Sequence, residues 1–582
     1  MKNVFLPPLL FRLIIGFTLI TGLLSVWIDP EPQLAQANTP TRRVNAAYFN
    51  GDMGYSNMSV FWFGQVDNTN NYVDVRVGYN DESLQIRTST FDRRLWYNTS
   101  LASNPNPAAL TEGDAVTLYL DLNHNGGSTP DTDDYQFTTQ LNWWEARNNY
   151  QAVYQGNHAN WAAITLPYAT TTNWRGNAPN DDTDDRGWVS TITIPFSSLG
   201  LSGPPPKGSI WGMGMVLHDQ DRNGDTTIAD KNWPETLDKN LPNTWGELAF
   251  GMPTYTPPSA TVEGTTTIRH KRDGAIVTDA HIGGDTVCGD TYAPNFFNGW
   301  GDANYAGSDH LNIQNQGDVA DWPCFSKMYV SFPLDKLPEH KKIISAELIL
   351  HQFGGSNPSQ AKPSLMQVLT VKDAWDESSI TWNNAPLAVE NVAAAEVDVI
   401  QDFPGWPGVP TVWDVSYAVA EAYKNGTPLH LALYEADWAY HSGKYFVSAE
   451  TGDWNAAARP TLKITWGEPA FIMDVTPAVQ HIKPGDVTTY TVLIHHSDEF
   501  NPIITLDVAA PAPDLDLTLS PLTATSSGSQ ATLTLTDNHP SSFSSGVWYT
   551  IPFTATGGGM VQTTTAKLLL NGQQVYLPIT IK

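Results

Sequence analysis

Apolar and polar positions alternate with a period of two through most of the chain: Val73, Val75, Val77; Val116, Leu118, Leu120, Leu122; Ile192, Ile194, Phe196; Leu462, Ile464, Trp466; and Leu533, Leu535. Successive strand side chains point to opposite faces, so each run predicts a strand with one face on a core. Thr, Val, Ile and aromatic residues fill the runs while Gly, Pro, Asn and Asp punctuate them. This favours stacked antiparallel sheets over parallel sheets with crossover helices. The expected fold class is all-β, as three consecutive β-sandwich domains. One helical pattern interrupts the strands: Asp414 as N-cap, Val415, Val419, Ala422 and Tyr423 on one face, and Gly426 beyond the end, a helix expected to plug one end of a sandwich.

Pro253-Thr254-Tyr255-Thr256-Pro257-Pro258 reads as a stiff linker, because Pro fixes φ and removes ladder donors. A second boundary falls near Glu468, where the composition shifts toward Thr, Ser, Leu and Pro. The expected organisation is a signal peptide over 1–37, a sandwich over 43–252, a linker over 253–264, a sandwich over 265–467 and a last sandwich over 469–582. No repeat of about 20 to 50 residues is visible, which disfavours a solenoid or propeller.

The 582 residues include 31 Lys plus Arg against 60 Asp plus Glu, a formal net charge of -29, so nucleic acid is not an expected partner. Lys2 and Arg12 precede an apolar run from Leu13 to Ile28, and Ala35-Gln36-Ala37 forms a small-residue cleavage pattern. The run is short for a spanning helix, and an uncleaved anchor is the alternative. The expected location is secreted, extracellular or at the cell surface, of bacterial type, with no membrane contact beyond that possible anchor. Export permits a disulfide, and Cys288 and Cys324, the 2 cysteines of the chain, are expected to pair.

Asp219, Asp221, Asn223 and Asp225, with Asp230 at the twelfth position, nearly match calcium-loop spacing, since alternate oxygen side chains converge on one cation. The loop follows a strand rather than a helix, so an EF-hand is excluded, and a solvated Asx-type turn is the other reading. A weaker echo comprises Asp121, Asn123, Asn125, Asp133 and Asp134. Structural calcium is the expected cofactor. The run Asp181, Asp182, Asp184, Asp185 reads as a solvated loop. For a sugar, Trp143 and Trp144 offer a flat ring, only one of them facing outward, and Arg147 a planar donor.

Phe61-Trp62-Phe63-Gly64-Gln65, Tyr72 to Tyr79, Asp92-Arg93-Arg94-Leu95-Trp96-Tyr97 and Gly187-Trp188 leading into Ile194-Pro195-Phe196 resemble family 9 carbohydrate-binding modules and their DOMON-like relatives. His218-Asp219-Gln220-Asp221 followed by Trp233-Pro234 falls where such domains carry an acidic loop. The resemblance covers about 43 to 252 and implies a sandwich that binds sugar without catalysis, often beside calcium. It adds Arg94 and Trp96 to the candidate ligand residues. The sugar-clamping Trp pair of that family has no evident match here.

Lys327 to Phe332, Ile344-Ser345-Ala346-Glu347-Leu348, Trp375 to Asn384, Trp413-Asp414-Val415, Phe446 to Glu450 and Arg459-Pro460-Thr461-Leu462 resemble, in this order, the DNRLRE or disaggregatase-related domain, which is similar to family 96 carbohydrate-binding modules. Arg459 is expected to pair with Glu450. Arg269, Lys271, Arg272 and Lys327 qualify for an acidic glycan by charge alone. Residues 469–582 look like the immunoglobulin-like modules appended to secreted enzymes.

No nucleophile elbow, zinc helix, phosphate loop or Cys-x-x-Cys site occurs, and no catalytic residue is assigned. The expectation is a non-catalytic protein that binds extracellular polysaccharide, associated with its degradation or with attachment. The alternatives are a glycoside hydrolase or polysaccharide lyase, and a structural adhesin without a sugar ligand.

Overall fold

Strand residues of alternating character assemble into three pairs of stacked sheets, and the protein is all-β. The computed structural model describes residues 41–572 apart from 102–104, 143, 223–227, 259, 285–295, 316–323, 358, 360, 437–441, 470, 497–501 and 541–545. The expected signal segment, Trp143, Asn223, Asp225 and Cys288 lie outside the described residues; Cys324 is buried. No helix among the described residues is long and apolar enough to cross a membrane.

In the first module, Ser59–Gly64, Tyr72–Tyr79, Ser83–Phe91, Gly187–Pro195 and Ala169–Arg175 form one antiparallel layer in that order. The facing layer runs Gly246–Phe250, Ile210–His218, Ala115–Asp121, Asp134–Gln140, Gln151–Gly156 and Trp161–Ala163. Val75, Ile86, Leu118, Met215 and Trp188 meet between them. The strand Arg43–Tyr48 pairs in parallel with Gly246–Phe250 and touches Glu390 of the second module through Arg43.

The second module stacks a layer of Thr278–Gly283, Ser326–Phe332, Leu429–Ala436, Ser364–Val371 and Ala388–Val397. Its other layer is Ala260–Arg269, Thr461–Pro469, Lys342–Gly355, Lys444–Val447 and His310–Ile313, with Val409–Asp414 beside Lys342–Gly355. The expected linker therefore ends early: Ala260 to Gly264 are already strand, because their backbone groups pair with Trp466 to Pro469. Tyr255 donates to the Ile343 carbonyl at 2.5 Å, tying down what remains. The helix occupies Ser416–Lys424, with Val415 rather than Asp414 at the cap position. Asp414 still acts there, accepting from the Ser416 N–H at 3.0 Å and hydroxyl at 2.5 Å. The third module packs its own core around Tyr490, Leu533, Ile551 and Leu568.

The first two modules share a third core. In Ser59–Gly64, Phe61 and Phe63 face the first core, whereas Val60 and Trp62 join Tyr329, Trp382 and Tyr434 of the second module. That accounts for the unbroken apolar run, which is buried on both faces. Side chains of the second module complete main-chain pairing in the first. Gln367 accepts from the Val60 N–H at 3.1 Å and donates to the Met58 carbonyl at 2.7 Å, and Asn391 does the same for Asn45 at 2.7 and 3.0 Å. Lys327 sits inside this interface rather than on a surface, its Nζ 3.9 Å from the Trp382 ring centroid and 4.2 Å from that of Trp62. It is thus no candidate for an external glycan.

Candidate functional site

The strands Ala115–Asp121 and Ile210–His218 turn Val116, Leu118, Met213, Met215 and Leu217 into the first core. The opposite face therefore carries Thr117, Tyr119, Val216 and His218. A small second cluster forms there from Tyr119, Val216, Leu237 and Trp245, with Trp161 packed against it. Gly214 makes room for it, since a Cβ at that position would lie 2.1 Å from Leu237 Cδ1. Trp161 and Trp245 have ring planes 8° apart and centroids 6.4 Å apart, and Tyr119 lies 5.7 Å from Trp161.

Beside these rings opens a cavity of about 580 Å³ whose polar lining includes Thr117, Gln136, His218, Asp230 and Lys239. His218 is locked at both nitrogens, Nε2 lying 2.9 Å from Thr117 Oγ1 and Nδ1 2.9 Å from Asp230 Oδ1. Burial works to raise the Asp230 carboxyl, but the hydrogen bond and charge of His218 outweigh it and hold the net value low. Trp161 donates from Nε1 to Asn240 Oδ1 at 3.2 Å, which fixes the indole at the rim. A half-exposed ring, a fixed imidazole, a carboxylate, an amide and an ammonium around one cleft suit a polyhydroxylated ring, whose C–H face stacks and whose hydroxyls need planar partners.

The acidic loop after Ile210–His218 divides between two places. Asp230 is hydrogen-bonded through Oδ1 to His218. Asp219 instead meets Asp92 and Asp114, carboxylate oxygens of the three lying within 4.8 Å of one another. Asp114 accepts from the Trp96 N–H at 2.6 Å and the Gln220 N–H at 2.9 Å. Asp92 accepts from the Arg94 N–H at 3.0 Å through one oxygen, while its other oxygen is buried without a hydrogen bond. Burial and then the neighbouring charges of Asp114, Asp219 and Asp221 push the Asp92 carboxyl well above the ordinary range. Asp114 is displaced in the same direction, by burial and then Asp219. Asp92 and Asp114 lie far apart in sequence from the loop, and no spacing pattern reveals them.

The second acidic group, Asp121, Asn123, Asn125, Asp133 and Asp134, spans two paired strands and the loop between them. Asp121 and Asp134 face each other across paired strands, both buried. Asn123 donates its N–H to Asp133 at 3.1 Å, and Asn125 its N–H to Asn123 Oδ1 at 2.8 Å. Burial first, then neighbouring carboxylates, push Asp134 up to about 7 and Asp133, also through its hydrogen bond with Asp131, up to about 6.

The described candidate sugar residues, Trp144, Arg147, Arg94 and Trp96, do not line the cavity. Trp144 is 45% exposed and leans edge-on against Tyr97, centroids 4.9 Å apart. Arg147 is committed inward, donating to Thr139, Thr170 and the carbonyls of Gln140, Asn142 and Tyr150. Burial pushes its guanidinium down to about 10. Arg94 faces Asp182 at 3.5 Å, and Trp96 offers its backbone N–H to Asp114. In the second module Arg459 pairs with Asp453 at 2.7 Å and with the Thr451 carbonyl, not with Glu450. Glu450 instead belongs with the buried Asp279.

Residues 289–466 match the family model of carbohydrate-binding module family 96. Among solved structures, a family 9 carbohydrate-binding module from Caldicellulosiruptor kristjanssonii in complex with cellotriose is similar at 16% identity, over 37% of this chain and 95% of that one, with a TM-score of 0.26. A putative carbohydrate-binding protein from Bacteroides uniformis is similar at 12% identity, over 36% of this chain and 99% of that one, with a TM-score of 0.26. No curated protein matches the chain.

Proposed function

We propose that this is an exported, non-catalytic polysaccharide-binding protein whose first module takes sugar in the cleft between Trp161, Tyr119, His218 and Asp230. The reading rests on that cleft, where a partly exposed indole and fixed polar groups border one cavity. The family 96 match in the second module supports the same class of ligand. Calcium is proposed at Asp92, Asp114 and Asp219 with Asp221 beside them, because hard oxygen ligands this close repel unless a cation lies between them. A Cys288–Cys324 disulfide is proposed on the even cysteine count and the burial of Cys324.

The test is calorimetric titration of the whole protein with gluco-, manno- and xylo-oligosaccharides, for the wild type and Trp161→Ala, alongside reducing-sugar release. Binding that Trp161→Ala weakens, without product release, is the expected result. Sugar cleavage by purified protein, or oligosaccharide binding indifferent to Trp161, would refute it.

A further inference from the structure

One loop of the first module serves both rings of the Trp161 cleft, and it is tied to the second module. Asp230 immediately precedes the strand Lys231–Trp233, and the chain then runs from Pro234 to Trp245 before the strand Gly246–Phe250 begins. Along this loop Leu237 packs into the cluster of Tyr119, Val216 and Trp245. The Asp238 carbonyl accepts the Trp245 indole proton at 2.9 Å, Lys239 lines the cavity, and Asn240 Oδ1 accepts the Trp161 indole proton at 3.2 Å. The position of the loop therefore sets the position of both rings and of the ammonium beside them.

Arg42 grips the start of that loop. Its side chain is 6% exposed, and a guanidinium holds its N–H donors in a fixed plane. Nε and Nη2 donate to the two Glu235 oxygens at 3.0 and 2.5 Å, a bidentate pair. Nη1 donates to the main-chain carbonyls of Leu387 and Ala388 in the second module, at 2.9 and 3.0 Å. That segment is fixed from its own side: the Tyr329 hydroxyl donates to the neighbouring Pro386 carbonyl at 2.9 Å, and Ala388 pairs with Val371. Leu387 packs against both the first core and the shared one. A single planar group thus joins a fixed stretch of the second module to a carboxylate on the cleft loop.

The path from Glu235 to the rings is short. The Leu237 N–H donates to the Pro234 carbonyl at 3.0 Å, so Glu235 and Leu237 lie within one hydrogen-bonded turn that cannot shift at one end alone. Beyond it the Asp238 N–H donates to Thr244 Oγ1 at 2.8 Å and the Leu241 N–H to the Asp238 carbonyl at 3.0 Å, which carries the constraint on to Asn240 and Trp245. Burial works to raise the Glu235 carboxyl, but the hydrogen bond and charge of Arg42 outweigh it and hold the net value low, so the pair is ionised at neutral pH. The Arg42 backbone is anchored separately, its carbonyl accepting the Glu247 N–H at 2.8 Å. Removing the side chain therefore frees the loop without freeing the strand that follows Arg42.

We propose that Arg42 is a positioning residue for the sugar cleft, and that through it the second module sets the affinity of the first. This rests on the sugar-binding reading of the Trp161 cleft and adds that the cleft reaches full affinity only while the two modules are joined. Coupling between two such places is reciprocal, so bound sugar also tightens the junction at Glu235, Arg42 and Leu387.

The test uses the full-length protein, with gluco-, manno- and xylo-oligosaccharide titration, thermal melts and hydrogen exchange on the wild type, Arg42→Met, Arg42→Lys and Glu235→Ala. Arg42→Met and Glu235→Ala are expected to weaken binding by about fivefold to tenfold and to speed amide exchange over residues 234–245, while the strand Ala115–Asp121 stays protected. Arg42→Lys keeps the charge but cannot fork across Glu235 and the two carbonyls at once, so its affinity is expected to fall between. Glu235 is half-exposed, so Glu235→Ala keeps the test decisive where Arg42→Met fails to fold. Wild-type affinity in Glu235→Ala would remove this proposal and leave the Trp161 cleft standing. A lower melting temperature with unchanged affinity and unchanged loop exchange would overturn it too, by making Arg42 a purely structural link. A wild type that binds no oligosaccharide would end the sugar reading, and this proposal with it.

Discussion

Trp161 and Trp245 lie almost parallel, ring planes 8° apart and centroids 6.4 Å apart, yet they have different burdens. Trp245 is buried and gives its Nε1 proton to the Asp238 carbonyl at 2.9 Å, so it is the fixed backing of the pair. Trp161 is the half-exposed partner at the cavity rim. Truncating the outer ring should weaken sugar binding by about 1–2 kcal/mol, a factor of roughly 5 to 30, with little change in melting temperature. Truncating the inner one should lower the melting temperature of the first module as well. Calorimetric titration with thermal melts separates the two; equal loss of stability in both variants would argue against the division of roles.

Asp279 gives a pH signature. It is fully buried, accepts the Ala449 N–H at 2.8 Å, and is pushed well above the ordinary range by burial first and then by Glu450. A carboxyl whose folded value is raised contributes stability that is fully present below its ordinary value near 3.8 and is lost as pH rises through the folded value. The second module should therefore weaken as pH rises above about 4 and through the raised folded value. Asp279→Asn keeps an acceptor for Ala449 and removes the titration, so its melting temperature should vary less with pH. At pH 8 it should exceed the wild type by about 2–4 °C, the shift expected of roughly 1 kcal/mol in a module of this size. A variant with the wild-type slope would show that other groups set the pH dependence.

Period-two patterns marked the strands because one face of each is buried, as with Val116, Leu118 and Leu120. The same patterns contained the cleft, since the residues between them, Thr117 and Tyr119 beside Val216 and His218, occupy the reverse face. Nothing local shows that this reverse face collects Trp161, from the short edge strand Trp161–Ala163, and Trp245, from the turn before Gly246–Phe250. The acidic loop was visible as a run of oxygens. Its partners Asp92 and Asp114 were not, because their approach depends on strand pairing between segments more than 100 residues from Asp219. Trp144 and Arg147 look like a sugar site in sequence, but hydrogen bonding to Thr139 and Thr170 turns Arg147 inward.

Lys327 is held in a box of Trp62, Tyr72, Trp382 and Tyr434, with Nζ 3.9 to 5.4 Å from the four ring centroids. Burial lowers its pKa well below 10.5, and the Asp74 charge opposes that only in part. Between the folded and unfolded values the unfolded chain binds the proton more readily, so this residue makes stability rise with pH up to about 10. Met has a similar reach and packs well against rings. Lys327→Met should therefore match or exceed the wild type at pH 7 and lose part of the rise toward pH 10 in thermal melts. A loss of about 2 kcal/mol or more at pH 7, with the slope unchanged, would mean instead that a charged ammonium holds the modules together through the rings.

Asp92 allows the calcium proposal to be tested with two opposite signs. Its buried oxygen without a hydrogen bond points to a missing partner, and a cation among Asp92, Asp114 and Asp219 would supply one. Adding calcium at about 100 times its dissociation constant should stabilise the wild-type first module by roughly 2.7 kcal/mol, and EDTA should reverse the gain. Asp92→Asn removes one ligand charge but keeps an acceptor for the Arg94 N–H, and its amide can donate to a neighbouring carboxylate. The variant should thus lose most of the calcium-dependent rise in melting temperature. In EDTA it should melt above the wild type, because like-charge repulsion is relieved. Calcium-independent melting of wild-type protein shown to be metal-loaded before chelation would sink the site, as would an Asp92→Asn protein that responds to calcium just as the wild type does.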